Sequence, residues 1–262
     1  MPICDLGDIR LHYRDEGDPQ GAPVVFAHAL GTGLGLWDAV LPSLPPGLRL
    51  VRFDMRGHGL SDVPPAPYAM GTLVRDAERL IDSLGLRDCV FVGLSIGGMI
   101  AQGLAVKRLD QIRALVLSNT AARIATAEIW QARIAAVRAD GLSAVTEATL
   151  ERWFGRAFRS TPAAQHWRAV LETTPVEGWV GCAAAIAGTD FYATTATLSL
   201  PTLAIAGSED GSTPADLVRE TAGLIRGSRF HLIRGAGHLP PVDRPADFAA
   251  AVADFLKAIG HV

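Results

Sequence analysis

Short apolar runs of strand length recur along the chain, and each closes on glycine or polar turn residues. Ile9 to Tyr13 alternates apolar and polar positions, as a half-solvated antiparallel strand does. The turn Asp18-Pro19-Gln20-Gly21 leads to Pro23–Ala27, a buried-strand run, and further strands follow at Leu48–Phe53, Val90–Val92, Ile112–Leu117, Thr202–Ala206 and Arg229–Ile233. Helical spacing covers Met70 to Leu84, with Gly85 as its stop. Small and apolar residues from Ile96 to Val106 suit a buried helix. A further helix runs from about Pro214 to Ile225, with proline near its first turn. Ala246 to Ile259 is an amphipathic closing helix. This alternation of strand and helix predicts an α/β fold with a parallel, doubly wound sheet.

From Ala121 to Thr197 the pattern changes. Strand runs vanish, and four of the five tryptophans, Trp130, Trp153, Trp167 and Trp179, fall in this stretch. The predicted division is a core over 1–120, a helical cap over 121–197 and the rest of the core over 198–262. Each tryptophan serves either the packing of these helices or an apolar underside above a pocket.

Residues 89–106 carry no charge, and their length alone would allow a membrane span. The order strand, Gly93-Leu94-Ser95-Ile96-Gly97, helix argues against one. It fits G-x-S-x-G, the nucleophile elbow, in which a strand turns sharply into a helix with serine at the bend. Glycines flank the serine because a Cβ there would meet neighbouring backbone. A glycine-lined packing turn remains the alternative on the motif alone.

Composition narrows the class. The 262 residues allow one large α/β domain with an insertion, and 49% apolar residues imply a sizeable core. A net charge of −3 without a basic patch excludes nucleic acid as the expected partner. Cys4, Cys89 and Cys182 read as free thiols of a reducing compartment. The first residues carry neither a basic nor an apolar export region, so the cytoplasm is the expected location. Metal-ligand spacings and internal repeats are not found. The loop His28-Ala29-Leu30-Gly31-Thr32-Gly33 fails as a dinucleotide fingerprint because position 36 is Leu, and no cofactor is expected.

Three polar residues sit in post-strand turns in the order Ser95, Asp210, His238. A serine hydroxyl needs a base to become nucleophilic. Histidine titrates near neutrality and can return the proton to a leaving group. A carboxylate behind the ring fixes its tautomer. Glu209 beside Asp210 stays open as the acid, although it lies one position closer to the strand. The turn after Ile112–Leu117 offers only Asn119, which does not ionise. Among the seven histidines, His12 and His231 lie in strands, His166 in the insertion and His261 at the terminus, whereas His238 sits in a glycine-flanked loop. His58 and Arg56 read as bracing of the turn Asp54-Met55-Arg56-Gly57-His58-Gly59. The N–H groups of Ile96 and Leu30 are the expected oxyanion donors.

These pieces, with Asp54-x-Arg56-Gly57-x-Gly59-x-Ser61 and Gly207-x-x-Asp210-x-x-x-Pro214, resemble the α/β-hydrolases along nearly the whole chain. The resemblance implies a mostly parallel eight-stranded sheet with helices on both faces and an inserted cap. Finer features resemble the 3-oxoadipate enol-lactonases of aromatic-compound breakdown. They are Leu30-Gly31-Thr32 with Trp37, Asn119-Thr120-Ala121, Arg152-Trp153-Phe154 with Ala157-Phe158, Gly181-Cys182-Ala183-Ala184 with Asp190, and Ala206-Gly207-Ser208-x-Asp210. Pro240-Pro241-Val242-Asp243 departs from the family's usual polar stretch ending in Glu. The resemblance implies opening of a carboxylated enol-lactone through an acyl-enzyme on Ser95. Trp153 is then expected to line the pocket, with Arg123, Arg133 and Arg156 as candidates for the substrate carboxylate, each also readable as a solvated helix-face residue. A broad carboxylesterase, a C–C bond hydrolase and a ligand receptor on a hydrolase scaffold are the competing readings.

Overall fold

The computed structural model describes residues 2–262. Its strands are β1 (Ile3–Asp5), β2 (Arg10–Gly17), β3 (Ala22–Ala27), β4 (Leu48–Phe53), β5 (Cys89–Leu94), β6 (Ile112–Ser118), β7 (Thr202–Gly207) and β8 (Arg229–Ile233). They form one sheet in the order β1-β2-β4-β3-β5-β6-β7-β8. The β1–β2 and β2–β4 pairs are antiparallel, and every other pair is parallel. Strand β5 lies in the middle and is buried at every position, which explains its β-branched and aromatic run. The sequence pattern did not yield β1, because three residues are too few to show a period; β1 is held by pairing Ile3 with His12 and Asp5 with Arg10.

The helices are α1 (Met70–Ser83), α2 (Ile96–Lys107), α3 (Ala127–Asp140), α4 (Ser143–Trp153), α5 (Arg156–Arg159), α6 (Pro162–Glu172), α7 (Val176–Ala187), α8 (Tyr192–Thr195), α9 (Ala215–Leu224), α10 (Pro240–Asp243) and α11 (Pro245–Ala258). Helix α1 buries Leu73, Val74, Ala77, Leu80 and Ile81, one stripe at helical spacing, and stops where Gly85 takes φ +65°. The expected helix after β7 begins at Ala215, with Pro214 as its cap instead of a member of the first turn. No helix among the described residues is long and apolar enough to cross a membrane. The uncharged run 89–106 is split between β5 and α2 by Ser95.

Parallel strands bring their C-terminal ends to one edge. The register makes this specific: Ala27 pairs with Gly93, Leu94 with Ser118, and Gly207 with Ile233. Turns after β3, β5, β6, β7 and β8 therefore open side by side. Between β6 and β7 the crossover expands into α3 to α8.

The turn after β4 is braced as the sequence suggested. Arg56 donates from Nε and an Nη to the two oxygens of Asp76 on α1, at 2.6 and 2.7 Å, with side-chain exposures of only 8% and 3%. Removing one member of such a pair strands the other charge away from water. Asp76→Ala is expected to lower the unfolding free energy by about 3 kcal/mol, read from urea unfolding curves. A loss below ~1 kcal/mol would show that Arg56 finds water instead.

Candidate active site

Ser95 joins β5 to α2 at φ 58° and ψ −118°, a left-handed conformation that side-chain residues avoid. A Cβ on Gly93 would overlap the Gly97 carbonyl, and one on Gly97 would overlap the Ala27 carbonyl. Only glycine lets α2 start this close to β3 and β5. The Ser95 N–H donates to Ser118 O at 3.0 Å, and Thr120 Oγ1 donates to Ser95 O at 2.6 Å. The bend is thus fixed from β6 as well.

Asp210 and His238 meet across the turns after β7 and β8. His238 Nδ1 lies 2.9 Å from Asp210 Oδ2. The carboxylate also accepts from Asn119 Nδ2 at 2.8 Å, Thr213 Oγ1 at 2.8 Å, and the N–H groups of Ser212 and Thr213 at 2.6 and 3.0 Å. Burial alone would raise the Asp210 carboxyl, but the charge and hydrogen bond of His238, with Asn119 and Ser212, hold it below the usual carboxylate range. Glu209, left open by the sequence, faces away. Its Oε2 accepts from Arg156 N at 2.7 Å at the start of α5. Ser95 and His238 line one cavity, and no hydrogen bond joins the Ser95 hydroxyl to the imidazole among the described residues.

The loop after β3 runs along the same cavity. Neither Leu30 N–H nor Ile96 N–H has a hydrogen-bond acceptor among the described residues, so both remain free for a ligand oxygen. Two buried histidines shape this loop. His58 Nε2 accepts from Gly31 N–H at 3.0 Å, and His28 Nε2 accepts from Met55 N–H at 2.9 Å. Each ring nitrogen opposite faces a carbonyl, that of Arg56 or Ala29. A backbone N–H only donates, so both rings must stay neutral to accept it. Burial lowers both, and His58, also beside His28, falls to about 3.

The cavity is partly open to solvent. Ala29, Leu30, Ser95, Ser212 and His238 form its floor, and Trp130, Trp153, Trp179, Arg133, Arg152 and Thr149 come from the helices between β6 and β7. Trp153 is where the sequence put it, whereas Trp167 packs in the core away from the cavity. Arg133 stacks over the Trp130 ring at 4.8 Å. Arg123 and Arg156 require correction as pocket residues. Arg123 is half exposed, 3.8 Å from Asp190, and Arg156 is 88% exposed near Glu209; neither lines the cavity. Among the described residues no three His, Cys, Asp or Glu side chains converge as a metal site would need.

A family model described as "alpha/beta hydrolase fold" matches residues 22–245. The chain belongs to that family. This α/β-hydrolase is 33% identical over 244 residues to 3-oxoadipate enol-lactonase 1 of Acinetobacter baylyi, spanning 92% of this chain and 91% of the relative. Among solved structures, a hydrolase from Pseudomonas aeruginosa superposes with a TM-score of 0.93 at 38% identity, covering 97% of each chain. The enol-lactonase from Burkholderia xenovorans superposes with a TM-score of 0.94 at 33% identity, over 98% of this chain and 100% of that one. By this kinship the chain is a hydrolase.

Two residues of the α/β-hydrolase site escaped the sequence reading. Asn119 was set aside because it does not ionise, yet it binds both Asp210 Oδ2 and Gly237 O. Its place directly after β6 was the available signal. Arg152 was noted only as part of Arg-Trp-Phe, and nothing in the local pattern told it from Arg123.

The His58 contact makes stability acid-sensitive. Its folded value, about 3, lies below the unfolded value near 6.5. Between those limits the unfolded chain takes up a proton that the folded chain refuses, so stability falls as pH drops. At pH 4.5 this contribution amounts to about 3 kcal/mol. His58→Gln keeps an acceptor for Gly31 without titrating, so its unfolding free energy should fall less than the wild type's between pH 7 and 4.5. Equal declines in urea titrations would remove His58 as the titrating group.

Proposed function

We propose that this hydrolase opens a carboxylated enol-lactone, 3-oxoadipate enol-lactone by its likeness to the relatives, through an acyl-enzyme on Ser95. His238 takes the Ser95 proton as the hydroxyl attacks the lactone carbonyl, and Asp210 steadies the imidazolium that forms. The free N–H groups of Leu30 and Ile96 receive the oxyanion. Collapse breaks the ring C–O bond. The enol oxygen leaves with the proton from His238, and its chain remains tethered through the acyl group. Water, deprotonated by His238, then attacks the ester and frees Ser95 and the acid. Tautomerisation of the enol to the ketone favours the forward direction. The helices between β6 and β7 act in this reading as a cap that excludes bulk water and selects the substrate.

The observation that carries the substrate assignment is the pair Arg133 and Arg152. Both line the cavity that holds Ser95. Arg133 contacts the Trp130 face, and Arg152 donates to Thr149 Oγ1 at 3.1 Å; neither forms an ion pair among the described residues. Burial lowers both guanidinium values, and the charge of Arg133 lowers that of Arg152 further. Both remain cationic. Two partly desolvated cations without a protein counter-charge favour an anionic ligand. An uncharged ester would leave that cost uncompensated, which favours the carboxylated lactone over a broad carboxylesterase.

Ser95→Ala is expected to lower kcat on the enol-lactone by roughly a thousandfold or more, with binding kept; near-normal turnover would exclude Ser95 as nucleophile. Arg133→Gln and Arg152→Gln are each expected to cost about 10- to 100-fold in kcat/KM on the carboxylated lactone. An uncharged aryl ester should change little with either variant, and Arg123→Gln should be silent on both. Equal losses on charged and uncharged substrates would reject carboxylate recognition.

A further inference from the structure

Asp243 is a buried carboxylate that the proposed chemistry does not use. Pro240 and Pro241 start the short α10, which turns the chain back so that Asp243 reaches the loop it has just left. Its Oδ2 accepts from Gly237 N–H at 2.7 Å and from Gly155 N–H at 3.0 Å. Its Oδ1 is buried without a partner. Burial raises the Asp243 carboxyl against those two hydrogen bonds and the nearby Arg244 charge.

The two N–H groups belong to segments in backbone contact. His238 and Leu239 donate their N–H groups to Trp153 O at 2.7 and 3.1 Å. A Cβ on Gly237 would overlap that same carbonyl, and a Cβ on Gly155 would overlap Gly235 O. No side chain fits between 153–155 and 235–239. Among the described residues, Asp243 is the one side chain hydrogen-bonded to both. The imidazole is therefore set from two directions. Asp210 holds its Nδ1, and the corner of Trp153, Gly155 and Asp243 holds its backbone.

We infer that Asp243 is a positioning residue for His238, tying the end of α4 to the histidine loop so that Nε2 is aimed at Ser95. The inference rests on His238 serving as the base for Ser95. An error of about 1 Å in such a placement costs on the order of a hundredfold in rate.

The test measures the rate at which a fluorophosphonate probe phosphonylates Ser95, together with kcat and KM on the enol-lactone. Both are taken per folded molecule and well below each variant's Tm. Asp243→Ala should slow phosphonylation and kcat by roughly 10- to 100-fold, with KM within about threefold of wild type. Asp243→Asn keeps an oxygen to accept both N–H groups and should recover most of the rate. If the alanine variant does not fold, Asp243→Ser, whose hydroxyl is too short to bridge and admits water, takes its place with the same expected loss. A folded alanine or serine variant that reacts at the wild-type rate overturns the inference alone, as does an asparagine variant as slow as alanine. A wild-type chain inert to the probe overturns the hydrolase mechanism, and the inference falls with it.

Discussion

Backbone pressed against backbone at the β5–α2 bend is the constraint on which the site depends. Gly97 lies against the Ala27 carbonyl, and Gly93 against that of Gly97, so the ends of β3 and β5 and the start of α2 share one small volume. Ser95 is held at positive φ in that crowd, a strain of about 1–3 kcal/mol that persists only because the surrounding sheet over-determines it. The same closeness carries the loop after β3 past the serine. The placements of Ser95 and of the Leu30 N–H are thus two results of one packing event, and a change that relaxes the bend moves both.

Histidine shows how partners decide chemistry in this site. His28, His58 and His238 are all buried within one edge of the sheet. The first two accept backbone N–H groups, and protonation would turn each acceptor into a clash of donors. They are fixed as neutral struts. His238 instead has Asp210 at Nδ1, a carboxylate already supported by Asn119, Thr213 and two backbone N–H groups. That arrangement places a negative charge beside the ring. One side chain type therefore meets different surroundings at one edge: a peptide N–H faces two of the rings and a carboxylate the third.

What the sequence disclosed follows from the same geometry. Ser95, Asp210 and His238 could be placed together because each closes a parallel strand, and such strands end on one edge whatever their side chains. Spacing from the strand and the family pattern favoured Asp210 over Glu209, and its carboxylate is the one that lies on His238. The arginines were less legible still. Arg123 and Arg133 share an Ala- and Arg-rich texture, yet Arg133 lies against Trp130 in the cavity and Arg123 faces Asp190 at the surface. Helix α3 buries Trp130, Ile134 and Val137, but its small residues leave several rotations equally plausible from pattern alone. Packing of α3 against α4 and α7 turns Arg133 inward, whereas Arg123 lies in the turn before the helix. The short β1, lacking a period, was hidden for a similar reason.

The helices above the cavity and the turns that carry Asp210 and His238 share atoms, and this limits how independently they can vary. Trp153 lends its indole to the cavity wall and its carbonyl to His238 and Leu239. Arg152 faces the cavity while its carbonyl accepts from Gly211 N–H at 3.3 Å, beside Asp210. Residues at the end of α4 therefore face the cavity with their side chains and hold the Asp210 and His238 turns with their backbone. A substitution there that leaves the main chain in place alters which molecules fit. One that shifts α4, by volume or by a change of helix length, also displaces the imidazole. Changes of specificity in this architecture should then concentrate on side chains projecting from an unmoved α4 corner, because the corner itself holds the backbone of His238.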